Sequence, residues 1–227
     1  MSTLRQLDWN GCINARDLGG LRTAHGRRTR RGAVVRADSV TGLTEAGWSA
    51  LVTHGIRTVI DLRNEDELGP DAAPRPAELA TVHLPLDEID DTGFWDRWAS
   101  GAEFATPLYY KAHLERFPER SARVITAIAR ARPGGVLFHC VRGRDRTGQV
   151  AMIVLALAGV APGDVAADYG LSDERLPDPD AEEFLTRTRT SAAEVVLSTL
   201  ASLDVAAELR RGGLADHDLA RLRSRLN

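Results

Sequence analysis

The stretch VLFHCVRGRDRTG, residues 136–148, contains the pattern on which the interpretation of this chain depends. Residues 136–139 are predicted to form a short buried strand, and residues 147–158 a strongly apolar helix. Cys140 follows the strand directly, and five residues separate it from Arg146. In parallel sheets, ligands bind at the carboxyl ends of the strands, where such loops begin. The segment therefore predicts a ligand-binding loop between a strand and a helix.

The composition of this loop indicates an anion site. A five-residue loop that curls into a helix N-terminus points backbone N–H groups at one centre, where the helix dipole adds positive potential. Arg146 can add a bidentate fork to two phosphate oxygens, and Gly143 supplies the freedom that tight curvature needs. Cys140 would lie in this positive field, which favours the nucleophilic thiolate. The candidate phosphate-binding residues are Val141, Arg142, Gly143, Arg144, Asp145 and Arg146.

A structural explanation for Cys140 is that it is a small core residue beside solvated arginines, since cysteine is often buried. Three arginines and an aspartate within residues 142–146, however, do not form a core. The order of strand, Cys, Gly-containing loop, Arg-Thr-Gly and apolar helix therefore favours a functional site.

Strands and helices alternate along the chain, which is typical of an α/β fold with a mostly parallel central sheet flanked by helices. Further strands are predicted at residues 33–36, 57–62 and 81–84. Helices are predicted after Thr44, at residues 94–99, near Pro107, after Pro118 and at residues 216–226. Residues 1–31 are predicted to be an irregular arm, and residues 164–227 a helical C-terminal part.

Composition limits the class of protein. The chain has 227 residues, 43% hydrophobic and 27% charged, and a net charge of −3, which argues against general nucleic-acid binding. The longest apolar stretch, residues 150–162, is too short to span a bilayer, and the first ten residues lack the apolar segment of a signal peptide. Two cysteines 128 residues apart indicate no disulfide framework. We therefore expect a cytoplasmic protein without membrane insertion.

The segment HCVRGRDRTG, residues 139–148, resembles the Cys-x5-Arg-Ser/Thr loop of the protein tyrosine phosphatase superfamily. Within it, the sequence is similar to bacterial tyrosine phosphatases with a His-Cys-x-x-Gly-Lys-Asp-Arg-Thr-Gly loop, some of which also hydrolyse phosphoinositides. The segments NARDLGG (14–20), residues 34–67 and DYGLSDE (168–174) resemble other elements of that group. The resemblance covers most of the chain and favours a single domain over residues 1–227. Arg144 stands where the group usually has Lys, which keeps the charge but changes the geometry.

The resemblance implies roles for the loop residues. Cys140 would be the nucleophile, Arg146 would hold the phosphoryl oxygens, and Thr147 would donate its hydroxyl to the Cys140 sulfur. A helix N-cap is the alternative for Thr147. His139 is expected either to orient the loop or to be a neutral core histidine. Arg16 and Asp17 are expected either to brace the loop or to form an ordinary turn.

A general acid is also required, because the leaving group needs a proton. In the superfamily it is usually an Asp from a mobile loop after an upstream strand, and HLPLDEIDD (83–91) fits that description. Asp87 is the first candidate, with Asp90 and Asp91 as rivals. Asp145, inside the binding loop, is the other candidate.

Two features lie outside this pattern. Arg27, Arg28, Arg30 and Arg31 are expected to form a solvated hairpin tip, with contact to an anionic membrane as the alternative. Cys12 is expected to be an ordinary thiol, with a disulfide to Cys140 under oxidation as the alternative.

Together these features predict a cysteine-dependent, metal-independent phosphatase that works through a phosphocysteine intermediate and needs no cofactor. Its substrate would be a phosphorylated protein, lipid or small molecule: phosphotyrosine first, with phosphoserine, phosphothreonine or a phosphoinositide as further candidates. The alternatives are a phosphatase of a small metabolite, a non-catalytic phosphate-binding module, and a sulfurtransferase. The pair Arg146-Thr147 argues against the last of these. The sequence carries no signal for the oligomeric state.

Overall fold

The fold is built on a five-stranded sheet. The structure is a computed structural model that describes residues 5–87, 90–99 and 101–227. The strands run in the order β1-β2-β5-β3-β4, with β1 antiparallel to β2 and the other neighbours parallel. The predicted α/β class with a mostly parallel sheet is confirmed. The strands are β1 (Arg16–Asp17), β2 (Val34–Ala37), β3 (Ile56–Asp61), β4 (Ala80–His83) and β5 (Gly135–His139).

Ten helices are found among the described residues, most of them in the second half of the chain. They are α1 (Glu45–Thr53), α2 (Thr92–Trp98), α3 (Tyr110–Arg116), α4 (Pro118–Arg130), α5 (Asp145–Leu157), α6 (Pro162–Arg175), α7 (Pro179–Arg187), α8 (Ala192–Ser202), α9 (Val205–Arg211) and α10 (Asp216–Leu226). Thr44 caps α1 by accepting from the Gly47 N–H, as its position predicts. None of these helices is long and apolar enough to cross a bilayer.

Side chains of the strands alternate between two apolar cores, one on each face of the sheet. Val136 and Phe138 of β5 belong to the larger core, which α4, α5, α6 and the C-terminal helices complete. Leu137 belongs to the smaller core, together with Trp48 and Leu51 of α1. Burial of β5 on both faces explains its continuous hydrophobic sequence and its central place in the sheet.

Two predicted boundaries differ from the structure in ways that matter. α5 begins at Asp145 rather than at Thr147, so Arg146 and Thr147 lie in its first turn. The arm of residues 1–31 is not wholly irregular, because Arg16–Asp17 forms the edge strand β1. Pairing of β1 with β2 is a long-range contact that local sequence patterns do not reveal.

A buried carboxylate and three arginines connect the arm to the helical part. Asp168 of α6 accepts hydrogen bonds from Arg5 (2.9 Å), from Arg16 (3.1 Å) and from Arg36 (2.9 Å). Burial alone would raise the pKa of Asp168, but the three arginine charges outweigh it and hold the pKa well below its usual range. Burial and the neighbouring Arg36 charge lower the pKa of Arg16 to about 10. The cluster is stable only as a unit, because removing one partner leaves buried charge uncompensated.

Replacing Asp168 with Asn should lower the free energy of unfolding by about 3–5 kcal/mol, because three arginines then face each other without a counter-charge. Since the folded pKa of Asp168 is depressed, its contribution is complete above about pH 4 and is lost as the pH falls further. Urea unfolding at neutral and acidic pH measures both effects. Asp216→Asn is the control, because Asp216 pairs with Arg210 at the surface. Equal small losses in the two variants would contradict the assignment.

Candidate active site

The binding loop leaves the carboxyl end of β5, the central strand. Cys140 follows β5 directly and is 2% exposed. Gly143 has a φ of +66°, and a Cβ there would lie 2.5 Å from the carbonyl oxygen of Ala37. Only glycine combines this backbone conformation with so close an approach to the end of β2. Gly143 therefore fixes the curvature of the loop.

The carbonyl groups of the loop are held from outside. The Asn14 amide donates to the carbonyls of Arg142 (3.2 Å) and Gly143 (3.1 Å), and Arg36 donates to Gly143 (2.7 Å). Because C=O and N–H point in opposite directions in a trans peptide, this leaves the N–H groups for the concave side. Arg16 in turn donates to the Asn14 side-chain oxygen at 2.7 Å. The buried arginines of the Asp168 cluster thus set the orientation of the loop peptides.

The Cys140 sulfur is hydrogen-bonded within the site. The Thr147 hydroxyl lies 3.1 Å from Sγ and is fully buried. Thr147 is the third residue of α5, so the alternative that it is an N-cap does not apply. A hydroxyl donor and a helix N-terminus both stabilise negative charge on the sulfur.

Arg146 is held by two carboxylates. Both of its terminal nitrogens contact the Glu67 carboxylate, with Nη2 2.6 Å from Oε1, and its Nε lies 3.5 Å from Asp87 Oδ2. Glu67 also accepts from the Asn64 N–H at 2.8 Å. Glu67 is not among the site residues predicted from the sequence. Its position just beyond the carboxyl end of β3 is the signal that could have identified it.

Asp87 lies where the sequence predicted a catalytic carboxylate, after β4 and beside the loop. Asp87 is 6% exposed. Burial raises the pKa of its carboxyl group to about 6, although the positive charge of Arg146 acts in the opposite direction. The rivals lie elsewhere: Asp90 is exposed, and Asp91 caps α2 and pairs with Arg116 at 2.6 Å. Residues 88 and 89 of the predicted loop are outside the described ranges.

Asp145, the other candidate acid, is the first residue of α5. Burial raises its pKa to about 6 as well, opposed mainly by the charge of Arg144. Its backbone carbonyl accepts a 2.8 Å hydrogen bond from the Tyr110 hydroxyl. Both carboxyl groups can therefore carry a proton near neutral pH. Only their positions relative to the loop can distinguish which of them is the better candidate for the general acid.

The other two loop arginines point away from the concave side. The Arg144 guanidinium is nearly fully buried and pairs with Asp173 (3.0 Å) and Asp178 (3.4 Å), and Arg142 pairs with Asp178 (2.9 Å). These acids lie on α6 and at the N-cap of α7. Arg142 and Arg144 thus bind the loop to the helices, and the backbone of residues 141–146 and the fork of Arg146 remain the candidate anion-binding groups.

Of the residues expected from the sequence to orient or brace the loop, some contact it and others do not. His139 Nδ1 lies 3.1 Å from the Cys140 carbonyl and Nε2 lies 3.7 Å from Asp61, so this buried histidine contacts the loop backbone. Among the contacts of the described residues, Arg16 reaches the loop through Asn14. Asp17 accepts from the N–H group of Gly19 in a local turn and from that of Gly32, just before β2, so its contacts hold the edge of the sheet and not the loop.

Cys12 and the arginine cluster of residues 27–31 lie outside the binding loop. Cys12 donates to Asp38 at 2.5 Å, and burial together with that carboxylate raises the pKa of its thiol well above the usual value. Cys12 and Cys140 are both free. The arginines expected at a hairpin tip are exposed; they are Arg27, Arg28, Arg30 and Arg31.

Within the described ranges, no three His, Cys, Asp or Glu side chains are grouped as metal ligands.

Comparison with known proteins agrees with this geometry. The model of the tyrosine phosphatase family matches residues 7–226. A Cupriavidus necator protein named as a tyrosine-protein phosphatase is 34% identical over 168 residues, which cover 71% of this chain and 61% of that protein. The triple specificity protein phosphatase PtpB of Mycobacterium tuberculosis is 30% identical over 226 residues, covering 85% of this chain and 80% of PtpB.

A solved structure also resembles this one. The P. aeruginosa protein TpbA in complex with pTyr gives a TM-score of 0.45 at 16% identity, over 80% of this chain and 86% of that one. The family assignment itself rests on the sequence matches, which extend over nearly the whole chain. They confirm the resemblance predicted from the loop: this chain belongs to the tyrosine phosphatase family.

Proposed function

We propose that this chain is a cysteine-dependent phosphatase that hydrolyses phosphate monoesters, phosphotyrosine first, as one domain spanning residues 1–227. The observation that carries the proposal is the arrangement at the N-terminus of α5. The Cys140 sulfur accepts from the buried Thr147 hydroxyl at 3.1 Å, beneath a loop whose carbonyl groups are bonded outward. A nucleophile and an oxyanion cradle thus share one centre.

In the first step the Cys140 thiolate attacks phosphorus. A sulfur–phosphorus bond forms while the bond from phosphorus to the ester oxygen breaks, and the general acid gives its proton to the departing oxygen. The Arg146 fork and the loop N–H groups stabilise the charge on the three equatorial oxygens. Glu67 holds Arg146 in the required orientation until the phosphoryl group is bound.

In the second step water attacks the phosphocysteine. The carboxylate left by the first step takes a proton from this water, the sulfur–phosphorus bond breaks, and inorganic phosphate is released. The sulfur leaves as a thiolate, which the hydroxyl of Thr147 stabilises at 3.1 Å. The same carboxyl group therefore serves as acid and then as base.

Position favours Asp87 over Asp145 for this role. Asp87 Oδ2 lies 3.5 Å from Arg146 Nε, so it borders the space in which Arg146 would hold a phosphoryl group. Asp145 lies in the first turn of α5, and its backbone carbonyl is tied to Tyr110. We therefore assign proton transfer to Asp87 and a role in loop structure to Asp145.

Membership of the tyrosine phosphatase family supports an aryl phosphate as the first substrate, and aromatic side chains pack next to Asp87 in the core. His113, 4.0 Å from Asp87, has the rings of Phe94, Trp95 and Tyr109 within about 6 Å of its own. The relative PtpB is named for triple specificity, so further ester classes are proposed as secondary substrates. A panel of phosphopeptides, phosphoinositides and phosphorylated metabolites tests this, and preference for a metabolite would favour the alternative of a small-molecule phosphatase.

Cys140→Ser should lower turnover of p-nitrophenyl phosphate at least about a thousandfold, because no other group can form the covalent intermediate. Cys12→Ser is the matched control and should retain near wild-type activity, since a serine hydroxyl can still donate to Asp38. Isothermal titration with vanadate or phosphate checks that the cradle survives. Substantial activity in Cys140→Ser would exclude this mechanism.

Arg146→Lys should lower kcat about 10²–10³-fold, because lysine keeps the charge but loses the planar fork that matches two phosphoryl oxygens. Steady-state kinetics should show a smaller effect on KM than on kcat. Arg28→Lys, at the exposed hairpin tip, is the control and should be indistinguishable from wild type. If Arg146→Lys also behaves as wild type, the loop does not cradle phosphate.

Asp87→Asn should slow alkyl and phenyl phosphates about 10²–10⁴-fold, but activated aryl phosphates much less, because only poor leaving groups need the proton. Because the acid must be protonated, kcat/KM in the wild type should fall as the pH rises past about 6, the raised pKa of Asp87. This limb should vanish in Asp87→Asn. Asp145→Asn should instead lower all rates evenly. Leaving-group dependence in Asp145→Asn alone would reverse the two roles.

A further inference from the structure

His113 is a buried histidine that the mechanism above does not use. It lies on α3 and is fully buried among aromatic rings, with Phe117 and Phe94 in edge or tilted contact at 5.3 and 5.9 Å. Burial lowers the pKa of His113 to about 4, partly opposed by the backbone of Leu86. The imidazole is therefore neutral at the pH of the reaction and carries one N–H proton.

Gln149 determines which ring nitrogen carries that proton. Its amide nitrogen lies 2.9 Å from His113 Nδ1, and both residues are fully buried. An amide nitrogen can only donate, so Nδ1 must accept and the imidazole proton lies on Nε2. Gln149 belongs to α5, the helix that also carries Arg146 and Thr147. The tautomer of His113 is thus set by the same helix that forms the cradle.

The Nε2–H group faces the proposed acid. Nε2 lies 4.0 Å from Asp87 Oδ1, and within the described part of the chain neither atom has a partner at full hydrogen-bond distance and angle. The backbone of Leu86 is the other group close to the imidazole. Nε2 is a donor and Oδ1 an acceptor, and both are buried. Leaving such groups unsatisfied is unfavourable, and a shift of about 1 Å would bring them to the usual hydrogen-bond distance. The two orphan atoms point to a bond that forms when Asp87 is released from Arg146.

We propose that His113 is a positioning residue for Asp87, donating its Nε2–H to Oδ1 in the substrate complex so that the transferable proton resides on Oδ2, the oxygen that faces Arg146. This proposal rests on the proposed function, because it assigns the surroundings of its general acid. As Asp87 becomes an anion after proton transfer, the same N–H stabilises the charge. Gln149 does not contact Asp87 in this scheme; it keeps the His113 imidazole in the tautomer that donates from Nε2.

The other groups around Asp87 define what the bond should do to its protonation. Burial raises the pKa of Asp87, and the charge of Arg146 from α5 lowers it. Glu67 from the segment after β3 raises it, whereas the Asn64 side chain and Arg120 from α4 lower it. The neutral His113 adds a donor that favours the anion. Removing that donor should therefore raise the pKa of Asp87 further, without changing the charge of the site.

Two substitutions of His113 separate the donor from the packing. His113→Phe keeps an aromatic ring in the cluster but removes the donor, whereas His113→Gln places an amide N–H near the position of Nε2. In His113→Phe the basic limb of the pH profile should move up by about one pH unit, and kcat for phenyl phosphate should fall about tenfold. KM and the rate with activated aryl esters should change little. His113→Gln should recover most of both effects.

A structural role for His113 alone predicts a different outcome. If its proton serves only the carbonyl of Leu86, both variants lose stability but keep the wild-type pH profile and leaving-group dependence, and the proposal is overturned. Thermal unfolding of each variant distinguishes loss of folding from loss of the bond. If His113→Phe does not fold, the comparison of His113→Gln with His113→Asn, which has no donor near Nε2, provides the same test.

The tautomer can be measured without any activity. Long-range ¹H–¹⁵N correlation spectra of the wild type and of Cys140→Ser should show the His113 proton on Nε2, and Gln149→Leu should shift the population towards the other tautomer. A proton on Nδ1 in the wild type would overturn the proposal. These spectra are independent of the proposed function, which fails separately if Cys140→Ser remains active.

Discussion

Asp168 is a single carboxylate buried between the N-terminal arm and the helical C-terminal part, and the orientation of the binding loop depends on it. It neutralises Arg16 and Arg36, which would otherwise repel each other in the protein interior. Arg36 then reaches the Gly143 carbonyl, and Arg16 orients Asn14 towards the same peptide. The loop N–H groups face inward because these carbonyls are held outward. A surface charge cluster could not impose such an arrangement, since its contacts would be weak and screened.

The parallel sheet brings the remaining groups to the loop. The carboxyl ends of β2, β3, β4 and β5 lie at one edge, so segments distant in the chain meet there. Cys140 follows β5, Glu67 lies beyond β3, and Asp87 lies beyond β4. Arg146 joins them by contacting both carboxylates while remaining in the first turn of α5. The raised pKa of Asp87 follows from its burial at this edge, and it supports the proposed role of Asp87 as the proton donor.

The sequence predicts those parts of the site whose residues lie close together in the chain, but not those that long-range contacts bring together. Cys140, Arg146 and Thr147 lie within eight consecutive residues, and their spacing alone places them on a strand end and a helix start. Asp87 is a candidate from sequence because a strand precedes its loop, and its catalytic role stays a prediction. Other contacts join residues far apart in the sequence: Glu67 with Arg146 over 79 residues, Asn14 with Gly143 over 129, and Gln149 with His113 over 36. No local pattern encodes such pairings. The side-chain directions of Arg142 and Arg144 were likewise hidden, because they depend on acids of α6 and α7.

The proposed mechanism requires transfer of a phosphoryl group to the Cys140 sulfur. Rapid acid quenching of the protein during turnover of an aryl phosphate, followed by peptide mapping with mass spectrometry, tests it directly. We expect a phosphoryl group on the peptide that contains Cys140, formed within the first turnover and lost on hydrolysis. Turnover with no phosphorylated peptide at Cys140, or with the phosphoryl group on another residue, would contradict it.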